Sequence, residues 1–154
     1  MVMWTDEDHR FMGLAMEEAK AAEALGEVPI GAVLVVDGQV IGRGRNAPIS
    51  RHDATAHAEV AALRDAGERL ANYRLPGSTL YVTLEPCLMC FGALIHARVA
   101  RVIFGAPDPK VGVSHLLPAL EGAHLNHRME LIGGLREEET RAQLKQFFQT
   151  RREP

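Results

Sequence analysis

The sequence has no long apolar run, no excess of basic residues and only two cysteines in its 154 residues. No run is long enough to cross a bilayer, and the first residues lack the basic, apolar and small-residue segments of a leader peptide. We therefore expect a cytoplasmic protein whose cysteines remain thiols or thiolates.

The net charge is −3 and the pI is near 6.2, so the chain lacks the basic excess that is typical of nucleic-acid binders. Total charge alone therefore argues against an RNA partner.

The composition is otherwise that of an ordinary globular domain, with 47% hydrophobic and 24% charged residues. The length suits one domain with a proper core, and two domains would be cramped. No internal repeat, linker or low-complexity tract interrupts the chain. We therefore expect a single domain over residues 1–154.

Hydrophobic periodicity and turn signals predict ten elements. In chain order they are a helix from Asp6 to about Leu25, strands at Ala32–Val36 and from Val40, a helix at 56–66, a strand at Thr79–Leu84, a helix over 88–95, a strand at Arg101–Phe104, a short helix near Leu116, a strand at Met129–Ile132 and a helix at Glu137–Thr150. The pair Asp37-Gly38 is a strong two-residue hairpin signal. This order predicts an α/β protein with three α/β/α layers.

Two short motifs contain residue types that bind metals, namely His57 in Thr55–Glu59 and the cysteines Cys87 and Cys90 in Glu85–Cys90. One imidazole and two thiols are zinc ligands, and three protein ligands leave the fourth tetrahedral position free for water, as in a catalytic site. Glu59 then has no ligand position to fill. A carboxylate at this place is well suited to take a proton from the water and pass it on.

The spacing within each motif suits the first turn of a helix. Cys87 and Cys90 are separated as i and i+3, and Pro86 comes where the start of a helix tolerates proline. His57 and Glu59 point roughly 200° apart on a helix, so they share only a site beyond its N-terminal end. We expect Thr55 to cap that helix.

Two other interpretations of the cysteines stay open at this point. Cys87 and Cys90 could belong to a structural zinc site completed by His124 and His127, which leaves His57 without a role. They could also form a redox pair, which leaves the His-x-Glu motif without a role. We rank the catalytic zinc site ahead of both.

The two motifs resemble the signature of zinc-dependent nucleobase deaminases, a group whose chemistry is well described. Further segments resemble the tRNA-specific adenosine deaminase family, which makes inosine at the wobble position of anticodons. They are Glu27–Val33, Arg51–Glu59, Asn72–Leu75, Thr79–Cys87, Arg101–Ala106 and Asn126–Arg128. The resemblance implies a cytidine-deaminase-like fold with a mixed five-stranded sheet, Zn²⁺ held by His57, Cys87 and Cys90, and Glu59 as the catalytic acid and base.

The resemblance also implies a substrate nucleotide that is splayed out of a tRNA anticodon stem-loop. It assigns Val28 to the pocket wall, the Asn46 side chain and the Ala58 backbone to the base, and Lys110, Asn126, Phe148 and Arg152 to the RNA around it. We add the hypothesis that Asp108 accepts a hydrogen bond from a ribose 2′-hydroxyl and so favours RNA over DNA. Residues 111–115 depart from the family pattern.

One helix and four basic residues bear on what the surface contacts. The helix over 88–95 is apolar nearly all round, which together with the resemblance indicates a homodimer. Arg141 and Lys145 are interpreted as a solvated helix face, whereas Arg151 and Arg152 could reach a phosphate.

Two rival functions remain open. The bare zinc motif also suits deamination of a free base or nucleotide, such as guanine or cytosine. An RNA-binding accessory subunit with a structural zinc is the second rival, and the presence of Glu59 argues against it.

Overall fold

The fold is described from a computed structural model covering residues 2–120 and 125–152. The helices are α1 (Asp6–Ala24), α2 (Pro48–Arg51), α3 (Ala58–Leu70), α4 (Leu88–His96), α5 (Leu117–Leu120) and α6 (Glu137–Arg152), with a 3-10 turn at Val113–His115. The strands are β1 (Gly31–Val36), β2 (Gln39–Arg45), β3 (Thr79–Leu84), β4 (Arg101–Ala106) and β5 (Glu130–Gly133). None of the helices in these residues combines the length and the apolar character needed to span a membrane.

The five strands form one mixed sheet in the order β2-β1-β3-β4-β5. Strand β1 is antiparallel to both β2 and β3, whereas β3, β4 and β5 run parallel to one another. The β1–β2 connection is a two-residue turn in which Asp37 and Gly38 both adopt positive φ, at 49° and 75°. The mixed five-stranded sheet and the hairpin are as predicted.

Helices cover both faces of the sheet because successive strand residues point to opposite sides. On one face Val33, Val35, Tyr81 and Ile103 pack against Phe11 and Met12 of α1. On the other face the strands pack against the small residues of α3 and against Leu94 of α4, through Ala32, Leu34, Leu80, Val82, Val102 and Phe104. The three-layer α/β/α prediction is confirmed.

The parallel arrangement of β3 and β4 determines where a site can form. Both strands end at the same edge of the sheet, at Leu84 and Ala106. The cysteine motif follows β3 directly, and the segment with Asp108 and Lys110 follows β4. The carboxyl ends of parallel strands are where open α/β sheets commonly hold ligands.

Candidate metal centre and substrate cavity

His57 and Glu59 lie at the N-terminal end of α3. His57 is the N-cap, with extended backbone angles of φ −84° and ψ 155°, and Glu59 is in the first turn. The prediction that Thr55 caps this helix is wrong, because the Thr55 hydroxyl donates to Asp53 Oδ1 at 2.7 Å instead. Since His57 precedes the helix, its imidazole and the Glu59 carboxylate can both face the space beyond the helix end.

Gly44 allows the first turn of α3 to lie directly against β2. A side chain at position 44 would collide with the backbone of Ala58 and Ala62. The edge strand and the helix therefore approach more closely than any larger residue would permit. This close contact positions the start of α3, and with it His57 and Glu59.

Cys87 and Cys90 occupy the start of α4. Cys87 is the N-cap and Cys90 lies in the first turn. The helix begins at Leu88, two residues after Pro86, so this proline precedes the helix and is not its first residue. His57 Nδ1 is 3.7 Å from Cys87 Sγ and 3.4 Å from Cys90 Sγ, and the three ligand atoms all lie within 4.8 Å of one another. The structure thus brings together the three residues that the sequence assigned to the metal.

The donor set fits a metal ion with an open coordination position. Among the described residues, His57, Cys87 and Cys90 are the only such group, and no fourth His, Cys, Asp or Glu belongs to it. His127, which the structural-zinc interpretation would need, instead places Nε2 2.7 Å from the Val99 carbonyl oxygen. An imidazole and two thiols without a fourth side chain are typical of a catalytic zinc site.

The titration of Cys87 suits a ligand. The hydrogen bond from the Cys90 thiol outweighs burial and, with the backbone N–H groups of Cys90 and Met89, lowers the pKa of Cys87 to about 5. These N–H groups have no acceptor within the helix because they lie at the N-terminus of α4, where a helix favours negative charge. Cys87 is therefore a thiolate at neutral pH, the form that binds metals.

Glu59 is 4% exposed and is surrounded by the metal-binding groups. Burial is the main cause that raises the pKa of Glu59 to about 7, opposed by the Glu59 backbone N–H. A carboxyl group with such a pKa can hold or release a proton near neutral pH. The position and the pKa together suit a group that moves protons.

A cavity of about 630 Å³ opens from these residues to the surface. We call its buried end, formed by His57, Glu59 and Cys87, the floor, and its exposed end, formed by residues 107–111 and by α6, the mouth. Five of the residues that the sequence assigned to the substrate line this cavity: Val28, Asn46, Asp108, Lys110 and Phe148. The volume lies in the range of small-molecule sites and suits one nucleoside.

The other predicted substrate contacts lie elsewhere. Ala58 is fully buried as the first residue of α3 and is not part of the cavity lining. Asn126 is exposed and is not part of the cavity lining. The side chain of Arg152 lies outside the described residues.

Asp108 is half-buried, and one of its oxygens is already occupied. Oδ1 accepts hydrogen bonds from the backbone N–H groups of Lys110 at 2.9 Å and Val111 at 3.2 Å. These bonds close a tight turn at the mouth. The second carboxylate oxygen makes no hydrogen bond with the described residues and remains available to a ligand.

Two buried glutamates that the sequence analysis did not single out hold the walls of the cavity. Glu85, 3% exposed, accepts from the backbone N–H groups of Asp108 at 2.9 Å and Ser114 at 2.7 Å. Gly112 packs so closely on the Glu85 carboxylate that a side chain would collide with it. Residues 108–114 are therefore fastened to the residue that lies two positions before Cys87.

Glu27 fastens the opposite wall. It is 1% exposed and accepts from the N–H groups of Ile49 and Ser50 and from the Ser50 hydroxyl, at 3.2, 2.6 and 2.6 Å. Burial by itself would raise the pKa of Glu27, but the hydrogen bonds outweigh it and the pKa is lowered. The sequence signals these roles only by position: Glu27 directly precedes Val28, and Glu85 directly precedes Pro86.

The C-terminal helix differs most from the sequence analysis. Arg141, Leu144 and Lys145 line the cavity together with Phe148, so Arg141 and Lys145 are not merely a solvated face. Arg151, which the sequence allowed to reach a phosphate, instead donates to the Gly26 carbonyl oxygen at 3.0 Å and covers the Phe147 ring.

Comparisons with known proteins agree with this geometry. Residues 6–152 match the sequence profile of the MafB19-like deaminase family. The tRNA-specific adenosine deaminase of Haemophilus influenzae is 49% identical over 148 residues, which cover 95% of this chain and 86% of that protein. A chain solved in a study of A-to-I editing by tRNA:A34 deaminases at the wobble position of transfer RNA is 47% identical, with a TM-score of 0.83 over 88% of this chain and 99% of that chain. The guanine deaminase of Bacillus subtilis is also similar, at 35% identity and a TM-score of 0.62, over 78% of this chain and 71% of that chain.

Proposed function

This chain belongs to the family of tRNA-specific adenosine deaminases, and on that basis we propose that it converts adenosine to inosine at the wobble position of tRNA anticodon loops. The reaction is hydrolytic: water attacks the carbon that bears the amine, and ammonia leaves. The observation that carries the proposal is the cavity of about 630 Å³, which joins His57, Cys87 and Glu59 at its floor to the mouth and whose volume suits one splayed nucleotide.

His57, Cys87 and Cys90 hold a Zn²⁺ ion in this proposal. When bound, the ion supplies a Lewis acid that makes water a nucleophile at neutral pH. The two sulfur ligands lie at the start of α4, where helix N–H groups stabilise the thiolate form that binds metals.

Glu59 carries the protons. It accepts one proton from the attacking water and delivers it to the ring nitrogen of adenine. It then takes the remaining proton from the newly formed hydroxyl group, as that group becomes the carbonyl of inosine, and gives it to the amine, which leaves as ammonia. Its burial at the floor keeps other water away from the carboxyl group and places its pKa near neutral pH. One carboxyl group therefore serves as base and as acid in the same turnover.

Binding of the nucleotide is divided between the two walls. Asn46, 6% exposed, hydrogen-bonds the base together with the Ala58 backbone, and Val28 packs against it. The free oxygen of Asp108 accepts from the ribose 2′-hydroxyl. Phe148, 44% exposed at the mouth, stacks on a neighbouring base, while Lys110, Asn126 and Arg152 contact RNA further out.

The partner is a tRNA anticodon stem-loop, and the protein works as a homodimer in the cytoplasm. An open groove of about 710 Å³ between α3 and α4 supports the dimer, because it exposes an apolar surface away from the substrate cavity. Its lining includes Val60, Leu63, Tyr73 and Ala93, and Leu88 of α4 is 51% exposed. A monomeric mass in light scattering at micromolar concentration would contradict the dimer.

The test is incubation of the purified protein with unmodified tRNA and with a minimal anticodon stem-loop, followed by mass spectrometry of the nucleosides. We expect inosine at the wobble position in both RNAs and no reaction with free adenosine. Absence of inosine from both RNAs, with a full complement of zinc, would overturn the proposal.

Deamination of free guanine is the second candidate, because the guanine deaminase of Bacillus subtilis shares the fold and 35% of the aligned residues. A free base has no phosphate, so it makes no use of the exposed cations at the mouth, Lys110, Arg141 and Lys145. Turnover of guanine at a rate above that of the stem-loop would favour this candidate.

A further inference from the structure

One side of α6 forms part of the substrate cavity. Arg141, Leu144, Lys145 and Phe148 all line it, and their spacing of i, i+3, i+4 and i+7 places them on a single helix face. We call these four residues the cavity face of α6. It presents two cations and two apolar side chains to whatever enters the mouth.

The cavity face of α6 is held rigidly by the opposite side of the helix. Thr140 is 1% exposed and packs against Gly105 of β4, where a larger residue would collide with it. Gln143 donates to the Met16 carbonyl oxygen at 3.2 Å, and Phe147 is buried. The cations are therefore attached to a fixed backbone, which reduces the entropy that a ligand contact must overcome.

The two cations differ in what already binds them. Arg141 is paired with Glu137 at 2.5 Å, whereas Lys145 forms no ion pair with any residue that the structure describes. The carboxylates of the cavity are mostly internal: Glu59 and Glu85 are 4% and 3% exposed at or near the floor. An exposed ammonium group thus stands at the mouth of a site in a protein of net charge −3.

We propose that Lys145, with Arg141 beside it, binds the phosphodiester that adjoins the nucleotide in the cavity. This inference rests on the proposed function and extends it to a phosphate subsite on α6. An ammonium group is a compact point charge that suits a phosphate without demanding one geometry, and the Arg141 guanidinium can donate to the same phosphate while it keeps Glu137. Leu144 and Phe148, between and beyond the cations, suit the apolar faces of the flanking bases.

The first test compares Lys145→Gln with Lys20→Gln, using a minimal anticodon stem-loop as substrate. Lys20 is exposed on α1, outside the cavity lining, and its replacement removes the same charge. We expect Lys145→Gln to raise KM about three- to fivefold with little change in kcat, the scale of an exposed ion pair. The slope of log(kcat/KM) against log salt concentration should become shallower by about 0.7, the value for one contact with single-stranded RNA. Lys20→Gln should match the unsubstituted protein in both quantities.

The second test neutralises the phosphate instead of the lysine. A stem-loop with an uncharged methylphosphonate on either side of the target adenosine should lose activity with the unsubstituted protein at one of the two positions. With Lys145→Gln, the same methylphosphonate should cause little further loss, because two changes that remove one contact are not additive. Additive losses at both positions, or an unchanged salt slope in Lys145→Gln, would overturn the proposal. If the unsubstituted protein fails to deaminate the unmodified stem-loop, the proposed function fails instead.

Discussion

The floor and the mouth of the cavity are built in different ways. The floor takes its residues from two short motifs, each at the start of a helix; Glu59 is buried, and His57 and Cys87 are half-buried. The mouth takes its residues from separated parts of the chain, namely residues 107–111 and the last helix, and they are mostly exposed. Chemistry that is common to many deaminases is thus located in a compact centre, whereas the choice of substrate depends on tertiary packing around it.

This difference predicts how substitutions should act. Changes at the floor should lower turnover or remove the metal, and changes at the mouth should alter substrate binding while the metal stays. Glu85 joins the two regions, because it lies two positions from Cys87 and fastens residues 108–114.

The largest effect is expected for Cys90→Ala. Cys90 is fully buried and supplies one of three ligand atoms, so its loss should remove the metal and reduce deamination to background. Zinc content by mass spectrometry and inosine formation should fall together. Chelator treatment of the unsubstituted protein should reproduce the loss, and added zinc should restore activity there but not in Cys90→Ala. Full activity of a metal-free protein would contradict the assignment.

Glu59→Ala should lower kcat by roughly 10² to 10⁴, the usual contribution of an acid and base group, while the zinc content stays intact. The side chain is at the floor but is not in the ligand group, so only proton transfer should suffer. Steady-state kinetics and metal analysis of the same preparation measure both quantities. If Glu59→Ala loses its zinc, the carboxylate is a ligand and the distinction between ligand and proton carrier is wrong.

The floor was predictable from the sequence because its geometry is local. A helix start fixes where Cys87 and Cys90 point, and the separation of His57 from Glu59 leaves only a site beyond the helix end. The order of the predicted strands and helices likewise indicated a mixed sheet covered by helices. Two local details differ: the Thr55 hydroxyl donates to Asp53 instead of capping α3, and α4 begins after Pro86.

The mouth was only partly predictable, and the reasons are physical. A sequence does not reveal that Glu85 accepts hydrogen bonds from Asp108 and Ser114, because these contacts join positions 23 and 29 residues apart. Arg141 and Lys145 have the spacing of a solvated helix face, and only the packing of Thr140 against β4 turns that face toward the cavity. Lys110 and Phe148 were identified through resemblance, and the role of Asp108 was inferred from the chemistry of a carboxylate beside RNA; none of the three followed from periodicity.

Glu85→Gln should weaken substrate binding more than it weakens chemistry. Glutamine offers one carbonyl oxygen to the two backbone donors, so the N–H of Asp108 or Ser114 loses its acceptor at a cost of about 1 to 3 kcal/mol in the free energy of unfolding. We expect a lower melting temperature and a KM raised by up to about tenfold, from thermal denaturation and steady-state kinetics.

Glu27→Gln is the matched control, because it removes a buried carboxylate from the opposite wall and leaves residues 108–114 untouched. Both variants should raise KM, but only Glu85→Gln should reduce the preference for RNA over a matched DNA oligonucleotide. Loss of zinc from Glu85→Gln would instead place Glu85 with the floor. Equal effects of the two variants on the RNA preference would remove the distinction between the walls.

The smallest effect is expected for Asp108→Asn, which tests a single oxygen atom. The amide oxygen of asparagine can still accept from Lys110 and Val111, so the turn should stay closed. Its NH₂ group, however, is a donor and takes the place of the carboxylate oxygen that is expected to accept from the 2′-hydroxyl. The hydrogen bond that is lost is worth about 1 kcal/mol. The ratio of kcat/KM for RNA to that for a matched DNA stem-loop should therefore fall about fivefold. Lys110→Gln should slow both oligonucleotides by a similar factor, because a phosphate is common to RNA and DNA. An unchanged ratio in Asp108→Asn would show that discrimination lies elsewhere in the mouth.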